Sequence, residues 1–277
     1  MTAIEHDAGP ARALTATVAR DLRVMRRSLV SSVIRIVLQP LLFAFVFAYV
    51  LPEAGLMGRG TVPGDAAGDT PFSTILVPGL VGSTVITQSL MAVVFPLVME
   101  LTPPSSIEDR LLAPLPVRMI ALQKIGSAMV QGLIGGLLVF PAVLLVHAEG
   151  QAPDVRVDDG ILLAAVVLLG ALTASAAGLL LGTLLKPQQT QVLFTVVMLP
   201  AIMLGCVYFP WEALDEVRWL QAVVLADPIV YMNEGLRAAL TPQVAHMPTW
   251  VVLPVLGVLA AALTALSVRV FTRKVAK

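Results

Sequence analysis

The sequence predicts an all-α membrane protein: six transmembrane helices, an N-terminal interfacial amphipathic helix, a short capped helix in a cytoplasmic loop, and an outer re-entrant helical hairpin before the last span. Three observations carry this. Six long stretches are nearly free of charge, and basic residues fall on every second loop between them. Hydrophobic residues make up 57% of the chain and charged ones 13%, about half the charged share of a soluble domain. The chain divides into a basic segment, residues 1–27, and a six-span region, residues 28–277.

The apolar stretches run from Ser28 to Leu51, Phe72 to Met99, Ala121 to Val146, Ile161 to Leu185, Gln191 to Phe209 and Thr249 to Val270. A helix of about 20 residues crosses the roughly 30 Å hydrocarbon layer. Helices satisfy their own backbone amides where no water reaches, whereas barrel strands would be about 10 residues long and alternate in polarity. Arg35 lies about two turns into the first span, close enough to the cytoplasm for its head to snorkel out. Glu100, Lys124 and His147 sit at span ends, leaving the membrane centre without carboxylate or histidine, which argues against a carrier energised by an internal ion site. Cys206, the one cysteine, lies within the fifth span as a small apolar packing residue, so no intramolecular disulfide or cysteine-based metal site is expected.

Charge sets the orientation. Arg12, Arg20, Arg23, Arg26, Arg27, Arg110, Arg118, Lys124, Lys186, Arg269, Arg273, Lys274 and Lys277 fall on one side. The other side holds Arg59, Arg156, Arg218 and Arg237, among many carboxylates such as Glu149, Asp154, Asp158 and Asp159. The positive-inside rule places both termini in the cytoplasm. Residues 1–27 are polar and basic with no apolar h-region, so no cleavable signal peptide is expected and the first span acts as the insertion signal.

In that segment Leu14, Val18, Leu22 and Met25 recur at helical spacing, with Arg20, Arg23, Arg26 and Arg27 on the remaining surface. This suits a helix lying in the cytoplasmic interface with arginines among lipid phosphates; the alternative is a solvated basic tail that only sets topology. Between spans two and three, Ser105 and Glu108 have the spacing of a capping box, and Pro103, Pro104, Pro114 and Pro116 confine the helix to about two turns. That short helix, about residues 105–114, is either a rigid surface made to be gripped or an ordinary capped turn.

The outer segment between spans five and six is the longest loop and the most helical. Leu214, Val217, Leu220 and Val223 follow a three-residue rhythm, with Trp211 and Trp219 as interfacial rings. Asp227-Pro228 then starts a second helix, the carboxylate capping free amides and the proline taking the first helical position. This helix is expected from Pro228 to Leu240, carrying Tyr231, Asn233, Glu234 and Arg237. Two helices too short to span, about residues 211–240, make a candidate re-entrant hairpin, tolerated where protein surrounds it.

Small residues form stripes inside the spans: Gly170, Ala174, Gly178 and Gly182 in the fourth, Gly132 and Gly136 in the third. They allow close helix approach, within the chain or between subunits. The chain lacks a G-x-x-x-x-G-K-[ST] phosphate loop, an H-E-x-x-H zinc motif and a G-x-S-x-G nucleophile turn, and its three histidines are far apart. No catalytic, cofactor or metal residues are assigned.

These features together resemble the ABC-2 type transporter permeases. The run Asp227-Pro228-Ile229-Val230-Tyr231 through Arg237 is similar to the family's N/D-P-hydrophobic-x-Y…R segment before the final span. Glu108-Asp109-Arg110-Leu111-Leu112-Ala113-Pro114 corresponds to its coupling segment, although the family's glycine and threonine are absent and Pro103-Pro104 precede. The likeness is greatest to bacterial drug-export permeases of the daunorubicin/doxorubicin resistance type. It implies a non-enzymatic permease subunit in a bacterial plasma membrane, exporting an amphiphilic drug, lipid-like molecule or glycoconjugate. It further implies a dimer with a second copy or sister permease and a separate ATP-binding subunit that carries ATP and Mg. Ser105, Glu108, Asp109, Arg110, Leu111 and Leu112 would couple to that ATPase; Asp227, Pro228, Tyr231, Asn233, Glu234 and Arg237 would form an outer gate. Beyond these partners and the lipid membrane, no nucleic acid is implied. A passive channel or facilitator, and a non-transporting assembly protein, are the alternatives.

Overall fold

The computed structural model describes residues 29–56, 70–102 and 116–275. The N-terminal amphipathic helix and the capped loop helix at about residues 105–114 lie outside the described residues.

Every described element is helical, and six helices are long and apolar enough to cross a membrane. The first span consists of α1 (Leu29–Ala44), a π-helical stretch Phe45–Val50 and a closing turn Leu51–Glu53. Next come α2 (Phe72–Glu100), α3 (Val117–Leu144) and α4 (Gly160–Leu184). The fifth span joins α5 (Pro187–Val192), a π-helical stretch Leu193–Met198 and α6 (Leu199–Leu204). A 3₁₀ turn, Trp211–Leu214, and the short α7 (Arg218–Val224) lead to α8 (Pro228–Leu240) and then α9 (Thr249–Val275).

The bundle is built around α2. Its apolar stretch is 67% buried, against 11% for the first span and 12% for the fifth. It packs on α1, α3, α4 and α8. Ser83 and Thr84 donate to the Leu80 carbonyl at 3.1 and 2.7 Å, so their hydroxyls are satisfied within the helix.

Gly178 and Gly182 of one stripe, and Gly132 and Gly136 of the other, face α2 in the same chain. A Cβ on Gly178 would stand 2.6 Å from the Leu90 carbonyl oxygen, and one on Gly132 would stand 1.8 Å from Ser89 Oγ. These approaches require the absence of a side chain, and they place α3 and α4 directly on the α2 backbone. Asp159 starts α4 by accepting from the amides of Ile161 and Leu162 at 3.0 and 2.9 Å.

Two sequence expectations change. The fifth span ends at Leu204 rather than Phe209: Gly205 follows and Cys206 adopts φ 55°, a conformation unfavourable for a residue with Cβ. The turn is held because it packs on Gly79, where a Cβ would lie 2.2 Å from the Val207 carbonyl oxygen. Cys206 is thus buried in this turn, outside the fifth-span helix.

Arg35, in turn, lies level with the middle of α2 rather than at an end of that helix. Phe47 touches Phe72 at the start of α2, with ring centroids 6.4 Å apart. The Ala148 amide donates to the Ala48 carbonyl at 3.0 Å in the loop after α3. Counting back twelve residues at 1.5 Å each sets Arg35 roughly 18 Å inward, level with the middle of α2.

At the end of the bundle where the predicted cytoplasmic loop begins, Lys124 Nζ meets Glu100 Oε2 at 2.6 Å, joining α3 to the last turn of α2. Lys274 Nζ donates to the Thr183 carbonyl, joining α9 to α4.

Candidate functional site

Of the predicted site residues, Asp227, Pro228, Tyr231, Asn233, Glu234 and Arg237 all lie on or at the start of α8. Ser105, Glu108, Asp109, Arg110, Leu111 and Leu112 lie outside the described residues. Helix α8 forms because Asp227 Oδ1 accepts the Ile229 amide at 2.9 Å and Pro228 occupies the first helical position. Gly235 lets it sit against α4 and α9, since a Cβ there would come within 2.9 Å of Val166 and Val252 side chains.

Instead of lying on a surface, α8 is inserted among α2, α4 and α9. Asn233 and Leu236 pack over Gly82. Asp227 borders a cavity of about 190 Å³ whose walls include Ile86 and Leu90 of mid-α2 and Thr173 and Ala177 of α4. The amino end of α8 is therefore at mid-height of the bundle. Its carboxyl end is at the rim, where the Leu240 carbonyl accepts the Arg156 amide at 2.8 Å. A carboxylate thus lies level with the centre of the spans, which the sequence expectation had left without one.

Glu234 and Arg237, both 0% exposed, form an ion pair one turn apart on α8. Each also holds a neighbouring loop. Glu234 Oε1 accepts the Trp211 amide at 2.9 Å and Oε2 the Met247 amide at 2.7 Å. Arg237 Nη2 donates to the Cys206 carbonyl at 2.9 Å, and Asn233 Nδ2 to the Gly205 carbonyl at 2.6 Å. Tyr231 OH reaches back to the Leu225 carbonyl at 2.9 Å. The strained Cys206 turn is thus secured from α8.

The two charges neutralise each other and accept or donate to backbone groups, an arrangement that makes burial tolerable. Its chemical use is to hold position, since neither charge is free to act as acid, base or ligand. Asp227 Oδ2, Asn233 Oδ1 and Arg237 Nε are buried without a hydrogen-bond partner.

The rim is joined by further hydrogen bonds. Ser73 Oγ donates to the Gln151 carbonyl at 2.6 Å, the Asp154 amide to Thr74 Oγ1 at 3.1 Å, and Gln243 Nε2 to the Asp154 carbonyl at 2.7 Å. Arg156, hydrogen-bonded to Asp154, has its pKa raised above the ordinary value by that bond and by the same carboxylate's charge.

Sequence reasoning missed Cys206, Trp211 and Met247 as partners, because they contribute backbone groups that carry no residue-type signal. It also missed that Arg35 and Gln39 share a groove with Thr87, Gln88 and Tyr208. The one available signal was a pair of polar residues four apart within an apolar span.

The sequence model of the ABC-2 type transporter family matches residues 12–241. The inner membrane transport permease YadH of Escherichia coli K12 is 28% identical over 229 residues, covering 81% of this chain and 81% of that protein. The Shigella flexneri permease of the same name matches equally well. No solved structure matches significantly. The family match runs through the predicted N-terminal helix, the first five spans and the whole of α8, and on that extent the chain belongs to the ABC-2 type transporter family.

Proposed function

We propose that this transport permease is the membrane subunit of an ATP-driven exporter, working as a pair of permease chains in a bacterial plasma membrane with both termini in the cytoplasm. The observation that supports this best is the seat of α8. A helix reaching from the rim to mid-height, tied to the loops on either side of it by Glu234, Arg237 and Asn233, suits a stopper that closes the outer mouth and moves as one body. ATP is bound and hydrolysed on a separate chain, for which Ser105, Glu108, Asp109, Arg110, Leu111 and Leu112 form the contact. The Lys124–Glu100 pair braces the base of that loop, so force applied there passes directly into α2, the central helix. The sparsely buried first and fifth spans are left for lipid and for the second permease chain. The exported molecule is an amphiphile.

Co-expression with a candidate ABC ATP-binding subunit tests the proposal. The two should purify together, and amphiphiles should stimulate ATP hydrolysis. Changing Leu111 and Leu112 to Glu should abolish the association at normal membrane insertion, because neither residue lies in a span. A double variant that still holds the ATPase would remove the coupling assignment.

A further inference from the structure

Beside the first span lies a groove that carries a charged side chain. Arg35 and Gln39, one turn apart on α1, share it with Thr87 and Gln88 of α2, and Phe194 and Tyr208 help to wall it. Arg35 and Gln39 are exposed to the groove in the single chain. No carboxylate among the described residues pairs with Arg35. Asp227 borders a separate cavity, reached by Met198 of the fifth span. The groove therefore holds the Arg35 guanidinium level with the middle of α2, with no described carboxylate paired to it.

A guanidinium does not lose its proton, and a charge at that depth is costly unless it faces an aqueous or ligand-bearing path. Its planar fork matches the oxygens of a phosphate or carboxylate. The neighbouring Gln39 and Gln88 amides supply uncharged donors, while the fifth-span wall is aromatic and aliphatic.

We propose that this groove binds the head group of an anionic amphiphile, with phosphate or carboxylate oxygens on Arg35 and the hydrocarbon body along Phe194, Leu199 and Ile202. The assignment rests on the permease reading and narrows its substrate class to anions.

The test uses the full chain in phosphatidylcholine nanodiscs, without ATPase or ATP, and radiolabelled dodecyl phosphate corrected for empty discs. Arg35→Gln should weaken binding about tenfold or more, while Arg35→Lys keeps most of it, because a hydrogen bond to a charged group exceeds the energy of one decade. Equal binding by Arg35→Gln and the unaltered protein would overturn the site. Should that variant fail to fold, competition on the unaltered protein decides. Dodecanoate should displace the probe, whereas dodecyltrimethylammonium, with the same tail and opposite charge, should not. Displacement by the cation, or equally well by tail-less inorganic phosphate, would overturn an anionic-amphiphile site. Because binding is read at equilibrium, a chain that binds the probe but recruits no ATPase would overturn the exporter reading alone. A chain that couples normally but lacks charge-selective binding would overturn this site alone.

Discussion

Glu234 shows how far a single side chain reaches in this fold. Its two oxygens serve Arg237 and the backbone amides of Trp211 and Met247, so its loss disturbs both loops flanking α8. Glu234→Gln leaves Arg237 buried without its counter-charge, and breaking such a pair costs about 3–5 kcal/mol. The purified variant should unfold at clearly lower temperature than the parent; an unchanged unfolding temperature would disprove the role. Adding Arg237→Met should restore part of the loss but not all, since the Cys206 carbonyl then loses its donor. Asp227→Ala should be milder, about 1 kcal/mol for a lost helix cap, readable in the same assay. The contrast explains what was legible. Asp227 caps an amide two residues away, so its role can be read from a dipeptide. Glu234 bonds to groups 23 and 13 residues away, and no local spacing encodes that.

Among the helices, glycine position separates contact from exposure. The stripe Gly170, Ala174, Gly178 and Gly182 was visible as a four-residue repeat, but its partner was not. Gly170 meets Met232 of α8, whereas Gly178 and Gly182 meet α2. Gly178→Ala should therefore destabilise by about 1–3 kcal/mol, because the blocking atom is a backbone carbonyl that cannot rotate away. Gly257→Ala on α9 has open space around it and should be neutral or stabilising by about 0.5–1 kcal/mol. Thermal unfolding of the two variants side by side checks the pair; equal effects would mean the stripe is not a packing surface. Proline reads differently in the two settings. Pro116 stands just before α3, while Pro78, Pro96, Pro141 and Pro254 lie inside spanning helices without ending them, because packed neighbours compensate the lost backbone bond.

For the molecule as a whole, the charge asymmetry predicts the orientation. Cysteine placed at Asp154 or Gln243, both exposed at the rim that carries the α8 carboxyl end, should react with an impermeant thiol reagent added outside intact cells. Reaction only after lysis would invert the topology. Span number and apolar character follow from the sequence alone, since a run of about 20 uncharged residues has one low-energy state in a bilayer. The depth of α8, the height of Arg35 and the early end of the fifth span were decided by tertiary packing. In each case the determinant is contact between segments distant in sequence: Phe47 on Phe72, Val207 on Gly79, and Glu234 between Trp211 and Met247. Hydropathy measures whether a segment leaves water. How deep a polar group can lie depends on which backbone groups and neighbouring charges meet it there, and only the folded chain brings those together.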